Sequence, residues 1–129
     1  MKASVLGTAD RGLTAEVRRL ARWVGRDLGR DGTRINVVFV SNRYIQDLNR
    51  RYLGRDRPTD VLSFTLGPLR PHEPSLLGEV YVSRDQARRQ ARAYGVAYRT
   101  ELRRLVLHGL LHLCGLTHRQ MKPFESRYL

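Results

Sequence analysis

The sequence predicts a single domain of the α/β (α+β) class, a mixed β-sheet packed with helices and built around a central histidine-bearing helix. Three observations lead there. Runs rich in β-branched residues, such as "RINVVFVS" (34–41), "VLSFTLG" (61–67) and "LLGEVYVS" (76–83), alternate with stretches whose apolar residues recur every three or four positions. No repeat, linker or low-complexity segment interrupts residues 1–129. A chain of 129 residues with 41% hydrophobic content suits one core.

Taken in order, "ASVLG" (3–7) reads as a short edge strand. Thr14 is the expected N-cap of "AEVRRLARWVGRDLG", which places Val17, Leu20, Ala21, Val24 and Leu28 on one face. After an "RDG" turn, residues 34–41 form a well-buried strand. "NRYIQDLNRRYLG" (42–54) is a helix with Tyr44, Ile45, Leu48 and Tyr52 as its apolar members. "RDRPTD" is a loop, because Pro58 has no N–H and restricts Arg57. Residues 61–67 and 76–83 are strands suited to antiparallel pairing, and the three prolines of "PLRPHEPS" (68–75) make the segment between them a loop. Ser83 caps "RDQARRQARAYG". The long helix "YRTELRRLVLHGLLHLCG" directs Leu102, Leu105, Val106, Leu110 and Leu113 at a core, and Gly115 suits the position just past its end. The tail "QMKPFESRYL" is expected to form a final turn or short helix.

The formal net charge is +12, from 24 basic and 12 acidic residues. Only Lys2 and Lys122 are lysines. A GC-rich genome explains the arginine-to-lysine ratio, but not the excess of bases over acids. That excess favours a polyanionic partner, nucleic acid before an anionic membrane. A single cysteine, Cys114, forbids an internal disulfide and fits a reducing compartment. The start "MKASVLGTADRG" has too short an apolar run for a signal peptide, and no stretch approaches the ~20 apolar residues of a membrane span. A cytoplasmic protein is expected.

The chemistry concentrates in "HGLLHLCGLTH" (108–118). Residues four apart share a helix face, so His108 and His112 can present imidazoles to one ion. Gly115 then lets the chain turn, and His118 can arrive as a third ligand. Three protein ligands leave a coordination position open, as catalytic sites do. Neutral imidazoles suit Zn²⁺, one per chain, although other divalent transition metals also accept them. The histidine and glycine spacing matches H-E-x-x-H-x-x-G-x-x-H of the metzincins, with Gly109 in the glutamate slot. Cys114 lies about 160–200° around the helix from His112 and reads as a small core residue. His72, in the proline-rich loop, reads as solvated.

"HGLLHLCGLTH" resembles the H-G-x-L-H-L-x-G-Y-D-H signature of the YbeY family of bacterial rRNA maturation endoribonucleases. "LNRRYLGRDRPTDVLSF" (48–64) is similar to that family's L-N-x-x-Y-R-x-x-D-x-P-T-D-V-L-S-F, and "LGEVYVS" (77–83) to its L-G-D-I-x-I-S. The resemblance runs in register from about residue 33 onward, with a C-terminal tail short for the family. It implies a zincin-like central helix in an α/β fold, with Zn²⁺ on His108, His112 and His118. It implies cleavage of single-stranded RNA, maturation of 16S rRNA, ribosome quality control, and partnership with the small ribosomal subunit and its assembly factors. There are two departures. Leu116 and Thr117 stand where the family has Tyr-Asp, and Leu53 stands where it has a functional arginine.

Gly109 argues against a peptidase. An amide leaving group needs a proton, which zinc proteases deliver through the missing Glu, whereas phosphodiester cleavage needs charge stabilisation on phosphate oxygens. Gly109 either leaves room for a bulky polyanion or permits close helix packing. Arg50, Arg51, Arg55 and Arg57 frame the "PTD" loop and are candidate RNA-binding residues. Arg55, on the loop side of Gly54, is the candidate catalytic arginine in place of Leu53. Asp60, Ser63 and Glu79 read as structural. Tyr44, Tyr52 and Phe64 can stack on bases, but their periodicity favours core. The alternative function is a zinc-stabilised RNA-binding ribosome assembly factor with little or no nuclease activity.

Overall fold

A computed structural model describes residues 1–67 and 76–129. The loop expected at 68–75, and His72 with it, lies outside the described residues. Four strands form one sheet in the order β1-β2-β4-β3: β1 (Lys2–Leu6), β2 (Arg34–Val40), β3 (Val61–Thr65) and β4 (Leu76–Ser83). The pairs β1–β2 and β2–β4 are parallel, while β3 runs antiparallel to β4, with Ser63 opposite Val80 and Phe64 opposite Glu79. The helices are α1 (Arg11–Asp27), α2 (Asn42–Leu53), α3 (Arg84–Tyr94), α4 (Tyr98–Leu113) and α5 (His118–Tyr128). The mixed α/β sheet expected from the sequence is therefore present, with β1 as an edge strand and 61–67 paired to 76–83.

Alternation along the strands divides the apolar residues between two faces. Ile35, Val37 and Phe39 of β2 and Val80 and Val82 of β4 join α1, α3, α4 and α5 in the main core. Val40, Ile45 and Leu62 form a smaller cluster on the opposite face, beneath α2. Within the main core α4 is central, with Leu102, Leu105, Val106, Leu107, Leu110, Leu111 and Leu113 all buried. Most sides of α4 are apolar and buried, and a stripe that includes Arg104, His108 and His112 is left toward solvent.

Three helix starts are set by hydroxyl caps. Ser41 Oγ accepts from the Tyr44 N–H, Ser83 Oγ from Gln86, and Thr117 Oγ1 from Gln120. Each such cap is worth about 1 kcal/mol. Thr14 is not a cap. Asp10 takes that role, its Oδ1 accepting from the Leu13 N–H at 3.1 Å, so α1 begins a turn earlier than expected. The earlier start carries Leu13 into the core at 4% exposure. The face expected for α2 is also corrected. Ile45 is fully buried, but Tyr44 and Tyr52 are 51% and 65% exposed, because α2 covers only the β3–β4 side of the sheet and seats itself through Ile45 and Asn49.

The tail forms a full helix rather than a turn. Thr117 and Gln120 cap each other reciprocally, and the far end is tied to α1 by stacking of Trp23 on Tyr128 and by Arg127 to Asp27 at 3.2 Å. Among the described residues no helix is long and apolar enough to cross a membrane.

Candidate metal centre

His108 and His112 occupy the last turns of α4. Cys114 closes the helix, and Gly115 reverses the chain at φ +82°, a left-handed conformation open to glycine at little cost. Two residues later Thr117 caps α5, whose first residue is His118. The turn brings all three imidazoles together, with ring centroids 4.9, 5.1 and 5.5 Å apart. One nitrogen from each lies within 4.8 Å of the others, a convergence that can hold a metal ion. His108 is half-buried, while His112 and His118 are exposed, so the cluster opens outward.

Burial, followed by the neighbouring His112 and His118, lowers the pKa of His108, and the charges of Asp60 and Glu125 oppose that fall. Burial and then His118 lower the pKa of His112. Both rings are thereby biased toward the neutral form, the one that ligates metals. Cys114 packs against the main core outside the cluster, and burial pushes its thiol pKa up. It is a core residue, as its helical angle indicated.

Gly109 is resolved in favour of close packing. A Cβ there would overlap Val80 Cγ1 well inside 3.0 Å and approach Ser63 Oγ at 3.2 Å. Its carbonyl oxygen accepts a hydrogen bond from the Ser63 hydroxyl at 3.1 Å. Position 109 therefore faces the sheet, and α4 lies directly on β3 and β4.

Asp60 and Glu79 have structural partners. Asp60 Oδ1 accepts from the Val61 N–H at 2.8 Å, and its Oδ2 accepts from Gln90 Nε2 at 3.2 Å. Glu79 accepts from Asn36 Nδ2 at 3.2 Å and from the Tyr81 hydroxyl at 3.3 Å. Burial, then the charge of Glu79, pushes Tyr81 up to about 12, so its phenol stays a donor.

The arginines sit apart from the histidines in the sequence and on another layer of the fold. Arg50 and Arg51, in the last turn of α2, both pair with Asp47, at 2.7 and 3.2 Å. The helix ends at Leu53, and Gly54 adopts φ +69°. Arg55 therefore leaves the helix direction, as a relocated arginine requires. Its side chain is exposed, as are those of Arg57 and, at 52%, Leu53. Asn49 fastens the loop by donating from Nδ2 to the Arg57 carbonyl at 2.9 Å. Beside α2 lies an open cleft of about 640 Å³ lined by Ser41, Arg43, Tyr44, Gln46, Asp47, Arg50 and Asp56.

Two arrangements were not anticipated from the sequence. Tyr44, Tyr81, Phe64 and Tyr52 form a continuous aromatic row with successive centroids 6.3, 5.8 and 5.4 Å apart. On α4, Glu101 is 1% exposed and binds Arg104 through both oxygens, at 2.5 and 2.9 Å. The i, i+3 spacing of Glu101 and Arg104 was the only sequence signal for that pair.

A three-histidine cluster on the central helix of a mixed α/β sheet, open to solvent and without the protease's glutamate, defines a metallohydrolase-like site. Comparison with known proteins narrows the class. A family described as Endoribonuclease YbeY matches residues 8–127. Two proteins named Endoribonuclease YbeY are among the relatives. That of Lysinibacillus sphaericus is 42% identical over 105 residues, covering 75% of this chain and 66% of the relative. That of Geobacter sulfurreducens is 37% identical over 116 residues, covering 88% and 77%. The solution structure of a Thermotoga maritima protein superposes with a TM-score of 0.69 at 29% identity, covering 98% of this chain and 85% of that one. The chain belongs to the YbeY endoribonuclease family.

Proposed function

We propose that this chain, acting as one domain over residues 1–129, is a metal-dependent endoribonuclease that cuts single-stranded RNA. The single observation that carries the reading is the convergence of three imidazoles at an outward-opening cluster on α4. His108, His112 and His118 hold one divalent ion, zinc by the preference of neutral imidazole. When bound there, such an ion supplies Lewis acidity toward a phosphodiester oxygen and toward water.

The rest of the work falls to the chain. The +12 charge draws a polyanion, and a substrate rich in phosphate is what arginine forks recognise. Arg50, Arg51, Arg55 and Arg57 bind the RNA backbone. Arg55 is our candidate to stabilise charge on phosphate during cleavage, and two observations support it: it lies beyond the left-handed Gly54, and it has no ion pair among the described residues. Position 109 points at Val80, so no side chain there serves as a peptidase base. By family resemblance the substrate is the 16S rRNA precursor at its 3′ end, and the roles extend to ribosome biogenesis and quality control beside the small subunit. The free Cys114 agrees with a cytoplasmic location.

The exposed Leu53, at the position of the family's arginine, favours a second reading: an RNA-binding assembly factor that barely cleaves. One experiment separates the two. Metal content and cleavage of a single-stranded RNA are measured for wild type, chelated wild type and His112→Ala. The nuclease reading expects zinc and cleavage to be lost together in the last two. Undiminished zinc in His112→Ala overturns the ligand set. Tight RNA binding by zinc-loaded wild type without cleavage establishes the assembly-factor reading.

A further inference from the structure

Arg104 lies one helical turn before His108. Residues four apart share a helix face, with Cβ atoms about 5–6 Å apart. Asp60 marks the two as one locus, since its charge acts on both Arg104 and His108.

The guanidinium is fixed in place. Its Nε and Nη2 donate to the two oxygens of Glu101, at 2.5 and 2.9 Å, and that carboxylate is 1% exposed. On its other side the Tyr94 ring lies 5.9 Å from the guanidinium carbon. An arginine has five N–H donors. Glu101 takes one from Nε and one from Nη2, which leaves three. The side chain is 37% exposed, so those donors have access to solvent.

A buried ion pair is a weak device for stability, because desolvation offsets much of the attraction. A pair that presents a rigid, half-used fork beside a metal cluster has a better use. The geometry points to Arg104 as a phosphate-binding residue: its free N–H groups take the RNA phosphate next to the one lying on the histidine cluster. The inference rests on the reading of the substrate as RNA. One helix turn rises about 5.4 Å, comparable to one nucleotide step of an extended strand. Two successive phosphates can thus lie along α4, one over His108 and His112 and the next on Arg104. Arg50 and Arg51 differ in kind, since both share the exposed Asp47 on the far layer of the sheet.

The test uses zinc-loaded and zinc-depleted full-length protein with a short single-stranded RNA. Arg104→Ala leaves Glu101 buried and unpaired and so risks misfolding. The double variant Glu101→Leu/Arg104→Met removes both charges together and keeps the fold open to measurement. The expected result for both is at least a tenfold loss of RNA affinity with or without zinc, unchanged zinc content, and a log–log salt slope shallower by about 0.7. Arg104→Lys, which keeps the charge without the fork, is expected to recover part of the affinity and the whole slope. If the double variant binds RNA as wild type does, with the same slope, Arg104 merely neutralises Glu101 and the inference is overturned. If wild type itself fails to bind, the functional reading falls, and this inference falls with it.

Discussion

Replacing Gly109 by alanine tests whether the glycine exists for close packing. The added methyl would overlap Val80 Cγ1, approach Val80 Cγ2 at 3.1 Å and meet Ser63 Oγ at 3.2 Å. Val80 is fully buried and β-branched, so it has little freedom to give way. Overpacking costs about 1–3 kcal/mol, and a collision with a fully buried valine takes the upper part of that range, about 2–3 kcal/mol. Alanine recovers about 1 kcal/mol through helix propensity. The net expectation is a loss of about 1–2 kcal/mol. For a domain of this size that lowers the melting temperature by roughly 3–8 °C. The Ser63 to Gly109 hydrogen bond should lengthen as α4 lifts, and the affinity of the adjacent histidine cluster for a metal ion should fall with it. The assay is thermal or urea denaturation of Gly109→Ala, Val80→Ala and the double variant. Val80→Ala removes the methyls that collide, so the double variant should be more stable than the sum of the single effects by at least about 1 kcal/mol. A Gly109→Ala protein as stable as wild type or more so, with simple additivity in the double, would refute the packing argument.

Acid should weaken the site before it unfolds the protein. The folded pKa values of His108 and His112 lie below the ordinary 6.5, so the unfolded chain binds more protons as pH falls through that value. Their contribution to the stability of the metal-free protein is full above about pH 6.5 and is lost below it. The melting temperature of metal-free wild type should therefore fall relative to that of His108→Gln as pH drops through about 6.5, because only wild type must charge a half-buried imidazole; a difference that stays constant with pH, or moves in favour of wild type on acidification, would contradict the sign. Thr117→Ala removes one half of the capping box and should cost about 1 kcal/mol. Because His118 follows directly, affinity for a divalent metal ion should drop too, while Thr117→Asp should retain both, which calorimetry can check. Arg55→Ala should slow RNA cleavage more than Arg51→Ala, since Arg51 is already held by Asp47. Leu53→Arg should gain little, and a large gain there with both alanine variants near wild type would show that no neighbour replaces the missing arginine.

What the sequence made legible was whatever depends on local pattern. The strand over 34–41, the Ser83 cap, the end of α4 at Gly115 and the histidine spacing all follow from periodicity or turn chemistry within a few residues. What it hid depends on tertiary contact. Asp10 outcompetes Thr14 as a cap because the earlier start buries Leu13. The apolar ridge of α2 is narrower than its periodicity suggests, because only one side of that sheet face is covered, leaving Tyr44 and Tyr52 largely exposed. The glycine in the motif permitted two explanations until Val80 was seen against it. The C-terminal helix runs through Pro123, which removes one backbone donor. Its anchorage through Trp23 and Tyr128 outweighs that loss, and no window of the tail alone contains the fact.

The edge strand β3 ties these pieces together. Its neighbouring residues Ser63 and Phe64 point to opposite faces: Ser63 donates to Gly109 of the histidine helix, and Phe64 meets Tyr52 of the arginine-bearing helix. The segment 54–60 leaves α2 beside Phe64 and ends at Asp60. There the Asp60 carbonyl accepts from the Ser83 N–H at 2.9 Å, and its charge acts on His108 and Arg104. Arg55 and Arg57 thus stand on the strap that joins the arginine-bearing helix to β3, the strand whose Ser63 contacts the histidine helix. On the function proposed above, a strand of RNA that followed this strap would meet basic side chains on its way to the histidines. The second half of the strap, 57–60, is fastened at both ends: Asn49 Nδ2 donates to the Arg57 carbonyl, and the Ser83 N–H to the Asp60 carbonyl. Loosening one end by Asn49→Ala should therefore weaken RNA binding and leave zinc content unchanged. Loss of zinc in that variant would mean that the strap supports the histidines themselves.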